Sequence, residues 1–158
     1  MPDTPIESFW NAYLQTLSHG MDLSSLTYTA WSFGNTQDLA DELGELVRQG
    51  VKTATCSLLW EYEADGEKLP QTGDLSIILD GEGKPLCIIR TIEVEIKPFN
   101  QVAAQFAYEE GEGDRSLDYW RKAHRYYFSG ICSRLGREVA ETMPLVCERF
   151  QLAYPLDK

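Results

Sequence analysis

A lysine and two threonines stand close together in Lys52-Thr53-Ala54-Thr55, just after Gly50, where a helix is predicted to end and a strand to begin. A lysine desolvated in a dry pocket is neutral and can act as a base or activate a hydroxyl such as that of Thr55. Residues three apart point to opposite faces of a straight strand, so their convergence would need a bend or bulge. The alternative is structural, with Lys52 complementing a helix dipole and the threonines favouring a strand.

An acidic segment at residues 109–114 contains two glycines, which would let the backbone approach a ligand closely. A carboxylate from this segment could accept a proton, orient Lys52 or bind an exocyclic amine. A carboxylate beside Lys52 raises the lysine pKa, and in that arrangement Glu112 would be the base while Lys52 stabilises an oxyanion. The alternative is a solvated loop in which Asp114 or Ser116 caps the next helix. The spacing does not match a calcium-binding loop.

A basic and aromatic stretch follows at residues 115–137, where six basic residues stand against one acid in a chain whose formal net charge is −11. The molecule as a whole should repel polyanions, so a nucleic acid would need this local positive face. The stretch could bind phosphates and stacked bases, or its aromatic residues could be core and its basic residues solvated. His124 is interpreted as a structural helix residue.

Aromatic residues also flank the central motif. Phe33-Gly34 precedes it and Trp60 follows it. These residues could wall a pocket for a flat heterocycle, and burial in the core is the alternative interpretation.

The four cysteines form no C-x-x-C pair and the chain has two histidines, so neither a metal site nor a cofactor is predicted. The cysteines are interpreted as buried thiols in a reducing compartment. The first ten residues are acidic, and no run reaches the ~20 apolar residues of a membrane span. We therefore expect a soluble, cytoplasmic protein without a membrane partner.

The elements that must position these residues do not alternate regularly. Helices are predicted at 5–17, 36–49, 101–108 and 116–128, and strands at 55–62, 75–80, 86–96 and 144–154. The turn Asp80-Gly81-Glu82-Gly83 indicates a hairpin. The predicted fold class is α+β, a small mixed but mainly antiparallel β-barrel flanked by helices. We expect one domain over 1–158, with the N-terminal helix packed on a barrel core at about 30–154.

In its order of motifs, the chain resembles the ASCH domain family of the PUA-like superfamily. The matching segments, within roughly 30–154, are Phe33-Gly34, Gly50-Val51-Lys52-Thr53-Ala54-Thr55-Cys56-Ser57, Gly73-Asp74, Glu110-Gly111-Glu112-Gly113-Asp114-Arg115-Ser116-Leu117, Tyr119-Trp120 and Cys147-Glu148-Arg149-Phe150. The resemblance implies a β-barrel with peripheral helices and a cleft beside the Gly-x-Lys turn. Members are associated with RNA binding, and one is similar to a ribonuclease in activity. A shorter bacterial relative is an N4-acetylcytidine amidohydrolase with a lysine, threonine and glutamate site.

Transferred residue by residue, the resemblance implies catalytic roles for Lys52, Thr55 and Glu112, with Glu110 as the alternative to Glu112. The predicted substrate-binding residues are Phe33, Gly34, Thr53, Trp60, Glu110 and Arg115. The expected activity is metal-independent hydrolysis of N4-acylated cytidine or cytosine, and the expected partner is a small pyrimidine nucleoside or base. The alternatives are an RNA-binding module or single-strand ribonuclease that uses the face at 115–137, and a ligand-sensing domain without catalysis.

Overall fold

The computed structural model describes residues 3–17, 20 and 22–156. The chain divides into two compact units, with some strands running through both. In chain order the elements are α1 (Pro5–Gln15), β1 (Thr29–Trp31), α2 (Gln37–Arg48), β2 (Ala54–Leu58), α3 (Leu59–Asp65), β3 (Leu75–Leu79), β4 (Pro85–Pro98), a 3-10 helix (Phe99–Gln101), α4 (Ala104–Glu110), α5 (Leu117–Leu135) and β5 (Pro144–Tyr154).

The first unit comprises Met1–Gly50, Gly73–Thr91 and Gln151–Lys158. Its strands lie in the order β1-β3-β4, with β1 parallel to β3 and β3 antiparallel to β4. The predicted hairpin joins β3 to β4, where the Asp80 N–H donates to the Lys84 carbonyl (N···O 2.8 Å). Strand β1 was not predicted, because three residues are too few to show a periodic pattern.

The N-terminal helix begins with a capping box, in which Thr4 and Glu7 each accept a hydrogen bond from the other's backbone N–H. Helix α1 ends at Gln15, two residues before the predicted end. Its apolar face packs on β3 and β4 through a cluster formed by Trp10, Tyr13, Leu75, Ile77 and Ile88.

Helix α2 has the termini that its sequence indicates. The Thr36 side chain accepts from the Leu39 N–H at the start. After the helix, Gly50 takes the left-handed conformation with φ +79°. The local capping residues therefore define both ends of this helix.

The second unit comprises Val51–Thr72 and Ile92–Phe150 and contains the motifs that could do chemistry. Its strands lie in the order β4-β5-β2. Strand β2 is antiparallel to β5, with Ala54 opposite Arg149 and Leu58 opposite Leu145. The buried core beside these strands includes Leu58, Phe99, Phe106, Trp120, Phe128 and Leu145.

The strand predicted at 55–62 is wrong in its second half. Strand β2 ends at Leu58, and α3 begins at Leu59 and closes on Gly66 with φ +67°. The sequence of α3 is rich in residues that favour helices, and the alternation of buried and partly buried positions stops at Leu58.

Two other helices differ from the predictions by two residues or more. The helix expected at 101–108 is a 3-10 turn followed by α4, which runs on to Glu110. The helix expected to end at residue 128 continues to Leu135, because a left-handed residue closes it only at Gly136 (φ +72°).

These elements give the predicted α+β class. The sheet is mixed and mainly antiparallel, and helices pack against its strands. The fold class is thereby confirmed. The prediction of a single domain over 1–158 stays a prediction.

Candidate active site

The backbone around Lys52 is tied to both α4 and β5. The Thr53 N–H donates to the Glu109 carbonyl (2.8 Å), and the Phe150 N–H donates to the Thr53 carbonyl (3.0 Å). The Thr53 hydroxyl also lies 3.4 Å from the Glu109 carbonyl. These bonds fix the chain before β2 against the end of α4, so the predicted substrate-binding residue Thr53 has a positioning role here.

The Lys52 side chain is 1% exposed and ends among oxygen atoms. Its Nζ lies 2.8 Å from Glu112 Oε2 and 3.1 Å from Glu110 Oε1. It also donates to the carbonyls of Ala54 (3.0 Å) and Glu110 (3.3 Å). The structure thus brings together three of the predicted site residues: Lys52, Glu110 and Glu112.

The charge of Lys52 follows from these neighbours. Burial by itself lowers the lysine pKa, but the carboxylates of Glu110 and Glu112 outweigh burial, and the pKa of Lys52 is raised. Lys52 is therefore an ammonium ion. The hypothesis of a neutral Lys52 acting as a base is wrong for this arrangement, because the buried surroundings of Lys52 contain two counter-charges.

Glu110 is the most enclosed acid of the group, with 1% of its side chain exposed. Its Oε2 accepts from Trp120 Nε1 (2.6 Å) and lies 3.5 Å from His124 Nε2, while its Oε1 faces Lys52. Burial raises the pKa of this carboxyl, but Lys52 and His124 outweigh burial and hold the pKa well below its ordinary value. Glu110 is thus a fixed carboxylate with both oxygens in use.

Glu112 lies on a tightly shaped loop between α4 and α5. Gly111 (φ +75°), Gly113 (φ +60°) and Arg115 (φ +66°) all adopt left-handed backbone conformations. A Cβ on Gly111 would lie 2.8 Å from the Val51 carbonyl oxygen, so this glycine permits a close backbone contact. The Glu112 side chain is 24% exposed, whereas the side chains of Lys52 and Glu110 are each 1% exposed. Of these three residues, Glu112 therefore has the greatest access to solvent.

Arg115 supports this loop. Its Nε donates to the Tyr108 carbonyl (2.9 Å), and one terminal nitrogen lies 3.4 Å from the Val51 carbonyl. The guanidinium also stacks 3.6 Å from the centre of the Tyr108 ring. Arg115 therefore fastens α4, the loop and the segment before β2 to one another. Its predicted contact with substrate stays a prediction.

Thr55 has a different orientation. Residues 54, 56 and 58 of β2 are the buried ones, and Thr55 alternates with them. Cys56 lies on the side of Glu110, so Thr55 points to the opposite face of the strand. Directly across from Thr55 on β5 is Glu148, which is 9% exposed.

The aromatic residues predicted to wall a pocket have separate locations. Phe33 is 5% exposed, and a Cβ on Gly34 (φ +79°) would lie 2.6 Å from the Leu39 Cβ; all three residues belong to the first unit. Trp60 belongs to α3 in the second unit, where Arg137 lies 4.4 Å from its ring centre.

The basic face at 115–137 is partly neutralised by acidic neighbours. Arg125 pairs with Glu141 (2.7 Å), and Arg134 pairs with Glu61 (2.8 Å). These exposed pairs leave less free positive charge on α5 than the sequence suggests. Tyr126, in contrast, is 84% exposed on the same helix.

Cys56, Glu110 and His124 each offer an atom that could bind a metal, and these atoms lie within 4.8 Å of one another. Sulfur, oxygen and nitrogen donors suit zinc. However, the Glu110 carboxylate already binds the Lys52 ammonium, which repels a second cation. Burial also raises the pKa of the Cys56 thiol well above its ordinary value, which opposes the thiolate that a metal requires. Glu110 and His124, beside a neutral Cys56 thiol, therefore fit an ion-pair network with Lys52 better than a metal centre.

Sequence reasoning missed the two residues on α5 that hold Glu110. Burial in the core is one of the two interpretations of the α5 aromatic residues, and Trp120 is indeed buried there, but its bond to Glu110 was not predicted; His124 is interpreted as a structural helix residue. A signal was present, because residues four apart share one face of a helix and their polar ring atoms can converge on one partner. The two rings stack with centres 4.3 Å apart.

No helix in the described part of the chain combines the length and apolar character that crossing a membrane would require.

Comparison with known proteins identifies the family. The model of the ASCH domain matches residues 29–154. A crystal structure of an ASCH domain from Lactobacillus crispatus JV V101 is 38% identical, with a TM-score of 0.89 over 96% of this chain and 95% of that one. Protein EF3133 from Enterococcus faecalis V583 is 39% identical, with a TM-score of 0.83 over 95% of this chain and 90% of that one. The hypothetical protein PH0355, at 13% identity and a TM-score of 0.53 over 80% of this chain and 99% of that one, shares the fold alone. None of the curated proteins matches the sequence. The chain belongs to the ASCH domain family.

Proposed function

We propose that this protein is an amidohydrolase that acts on N4-acylated cytidine or cytosine through Lys52 and Glu112. One observation carries the proposal: a buried ammonium is shared between a fixed carboxylate, Glu110, and a carboxylate that reaches solvent, Glu112. An oxyanion binding group and a proton carrier are the two parts that hydrolysis of an amide needs.

In this scheme Glu112 moves off Lys52 when the substrate enters, and the acyl carbonyl oxygen accepts the hydrogen bond that Glu112 gives up. The displaced carboxylate takes a proton from a water molecule while the water oxygen forms a bond to the carbonyl carbon. Lys52 stabilises the oxyanion that develops. When the C–N bond breaks, Glu112 returns the proton to N4 of the pyrimidine. N4-acetylcytidine and water thus give cytidine and acetic acid, which releases its proton to solvent and leaves as acetate.

Glu110 is the positioning acid of the scheme. Both of its oxygens already serve Lys52, Trp120 and His124, so a proton transfer through Glu110 would break the network that holds Lys52. This division of roles favours Glu112 over Glu110 as the proton carrier.

The scheme uses water as the nucleophile, because Thr55 points to the face of β2 opposite Cys56 and Glu110. The predicted catalytic role of Thr55 can be tested by stopping the reaction with a chemical quench during turnover and analysing the protein for an acyl group on Thr55. An acyl group on Thr55 would assign it as the nucleophile. Turnover with unmodified Thr55 would support attack by water.

The test is hydrolysis of N4-acetylcytidine and other N4-acyl cytosines by the wild type, Lys52→Met and Glu112→Gln. We expect Glu112→Gln to lower kcat by roughly 10²–10⁴-fold, the usual contribution of a general base. Lys52→Met should lower kcat by about 10²–10³-fold. Glu82→Gln, on the exposed hairpin, is the matched control and should leave kcat unchanged. Absence of turnover by the wild type across the acyl series would refute the proposal.

Binding to single-stranded RNA is the alternative. The exposed Tyr126 favours it, while the pairing of Arg125 and Arg134 with acids and the net charge of −11 weigh against it. A protein that binds RNA through this face should lose affinity steeply with added salt. Salt-dependent binding or cleavage of RNA, without hydrolysis of any N4-acyl cytosine, would favour the alternative.

A further inference from the structure

We propose that His124 is a positioning residue of the Lys52 site, which in its protonated form holds the Glu110 carboxylate against Lys52. The consequence for turnover rests on the proposed function, whereas the consequence for the ion-pair network does not.

The ring of His124 is fixed at two points. It stacks on Trp120 with ring centres 4.3 Å apart and planes 21° apart. Its Nδ1 lies 2.9 Å from the Trp120 carbonyl oxygen, which can only accept a hydrogen bond. Nδ1 therefore carries a proton, and the orientation of the ring is set before it meets Glu110.

The other ring nitrogen faces Glu110. Nε2 lies 3.5 Å from Oε2, the same oxygen that accepts from Trp120 Nε1 at 2.6 Å. Trp120 and His124 thus bind one oxygen of the carboxylate, and Lys52 binds the other. With one oxygen fixed from α5, the second stays directed at Lys52.

Protonated His124 balances the charges of this site. Around the single ammonium of Lys52 stand two carboxylates, Glu110 and Glu112, and an imidazolium makes the group neutral. Cys56, which faces His124 from β2, is held as a neutral thiol by burial, which raises its pKa. Burial lowers the pKa of His124, but Glu110 and then Glu112 outweigh burial and raise it above 6.5. The side chain is 12% exposed, so it can exchange protons with solvent.

The stabilisation of the fold by His124 should decrease as the pH rises. Because the folded pKa of His124 is raised, its stabilisation is fully present below pH 6.5 and is lost as the pH rises through the folded pKa. A histidine that only filled space would stabilise the fold equally at both ends of this range.

The first test is titration of the two histidines by NMR, with His124→Gln assigning the resonance. We expect the pKa of His124 to lie above 6.5 and to fall in Glu110→Gln. The second test is urea unfolding of wild type, His124→Gln and His124→Phe from pH 5.5 to pH 9. The loss of stability should be largest at low pH and shrink as the pH rises. A pKa at or below 6.5, or a loss that does not vary with pH, would overturn the proposal.

The third test uses N4-acetylcytidine. His124→Phe keeps an aromatic ring but has no donor, and we expect kcat to fall roughly 10–100-fold with little change in KM, as for a slightly misplaced catalytic group. We expect the wild-type kcat to decline as the pH rises and His124 loses its proton. His124→Gln, which keeps a donor that does not titrate, should recover part of the loss and lack that decline. Equal kcat values for wild type and His124→Phe would overturn the proposal. If the wild type turns over no substrate, the proposed function fails and the titration and unfolding results decide the inference alone.

Discussion

Lys52 and Glu110 form an ion pair in which each side chain is 1% exposed, with Nζ 3.1 Å from Oε1. Both charges were removed from water, so each depends on the other and on the polar groups around them. Glu112, Trp120 and His124 supply those further groups. The stability of the fold and the chemistry of the site are therefore linked through one buried carboxylate.

Removal of the ammonium should be strongly destabilising. In Lys52→Met, the carboxylates of Glu110 and Glu112 lose their counter-charge, and we expect the free energy of unfolding in urea to fall by about 3–5 kcal/mol. Lys84→Met removes an ammonium from a pair exposed on the hairpin and should leave stability unchanged. The double variant Lys52→Met/Glu110→Gln should recover part of the loss. A decrease in Lys52→Met no greater than in Lys84→Met would contradict the buried pair.

The loss of folding stability at acidic pH should depend on Glu110. Its folded pKa is held below the ordinary value of 4.5, so its stabilisation is fully present above pH 4.5 and is lost as the pH falls through the folded pKa. Glu110→Gln should therefore differ most from the wild type near neutral pH and approach it on acidification. Urea unfolding between pH 3 and pH 7 measures this. If the free energies of unfolding of the two proteins changed in parallel with pH, Glu110 would not be responsible for the loss of stability at acidic pH.

Trp120→Phe should isolate the hydrogen bond from the indole to Glu110. Phenylalanine keeps an aromatic ring beside Phe99 and His124 but leaves one carboxylate oxygen without its 2.6 Å donor. A lost hydrogen bond to a buried charge costs about 1.5–3 kcal/mol. Trp60→Phe, at a half-buried ring that contacts Arg137, is the control and should cost less. Equal losses in the two variants would mean that ring volume, not the hydrogen bond, explains the effect.

Gly111 should be more sensitive to substitution than a glycine of the same conformation in open space. Alanine at Gly111 (φ +75°) would bring Cβ within 2.8 Å of the Val51 oxygen, while alanine at Gly136 (φ +72°) would meet nothing within 4 Å. Both substitutions carry a left-handed penalty of roughly 1–2 kcal/mol, and the clash at Gly111 should add about 1–3 kcal/mol. Thermal and urea unfolding of the two variants measure the difference. Equal losses would indicate that the loop moves without cost.

The structure of α2 shows how far local signals reach. Thr36 accepts from a backbone N–H at its start, and Gly50 takes a left-handed conformation after its end. Both features depend on residues within one helical turn, so the sequence contains the information. The boundary between β2 and α3 could not be read in this way, because Leu58 and Leu59 suit either element and burial decides between them.

The candidate site also has some features that could be predicted from local sequence and others that could not. Lys52 after a helix end and an acidic, glycine-containing loop were evident from residue types, and the family resemblance paired Lys52 with Glu112. The protonation state of Lys52 was not evident, because it depends on how many carboxylates surround it at a distance of about 3 Å.

The family, the α+β class and the residue types that could do chemistry could be predicted from the amino-acid chain, because these depend on local pattern and the order of motifs. The folded arrangement was needed to show that Trp120 and His124 hold Glu110, that Thr55 points away from Cys56, and that Lys52 is an ammonium ion. Those outcomes depend on contacts between residues far apart in the chain, where distance and burial set the strength of each interaction.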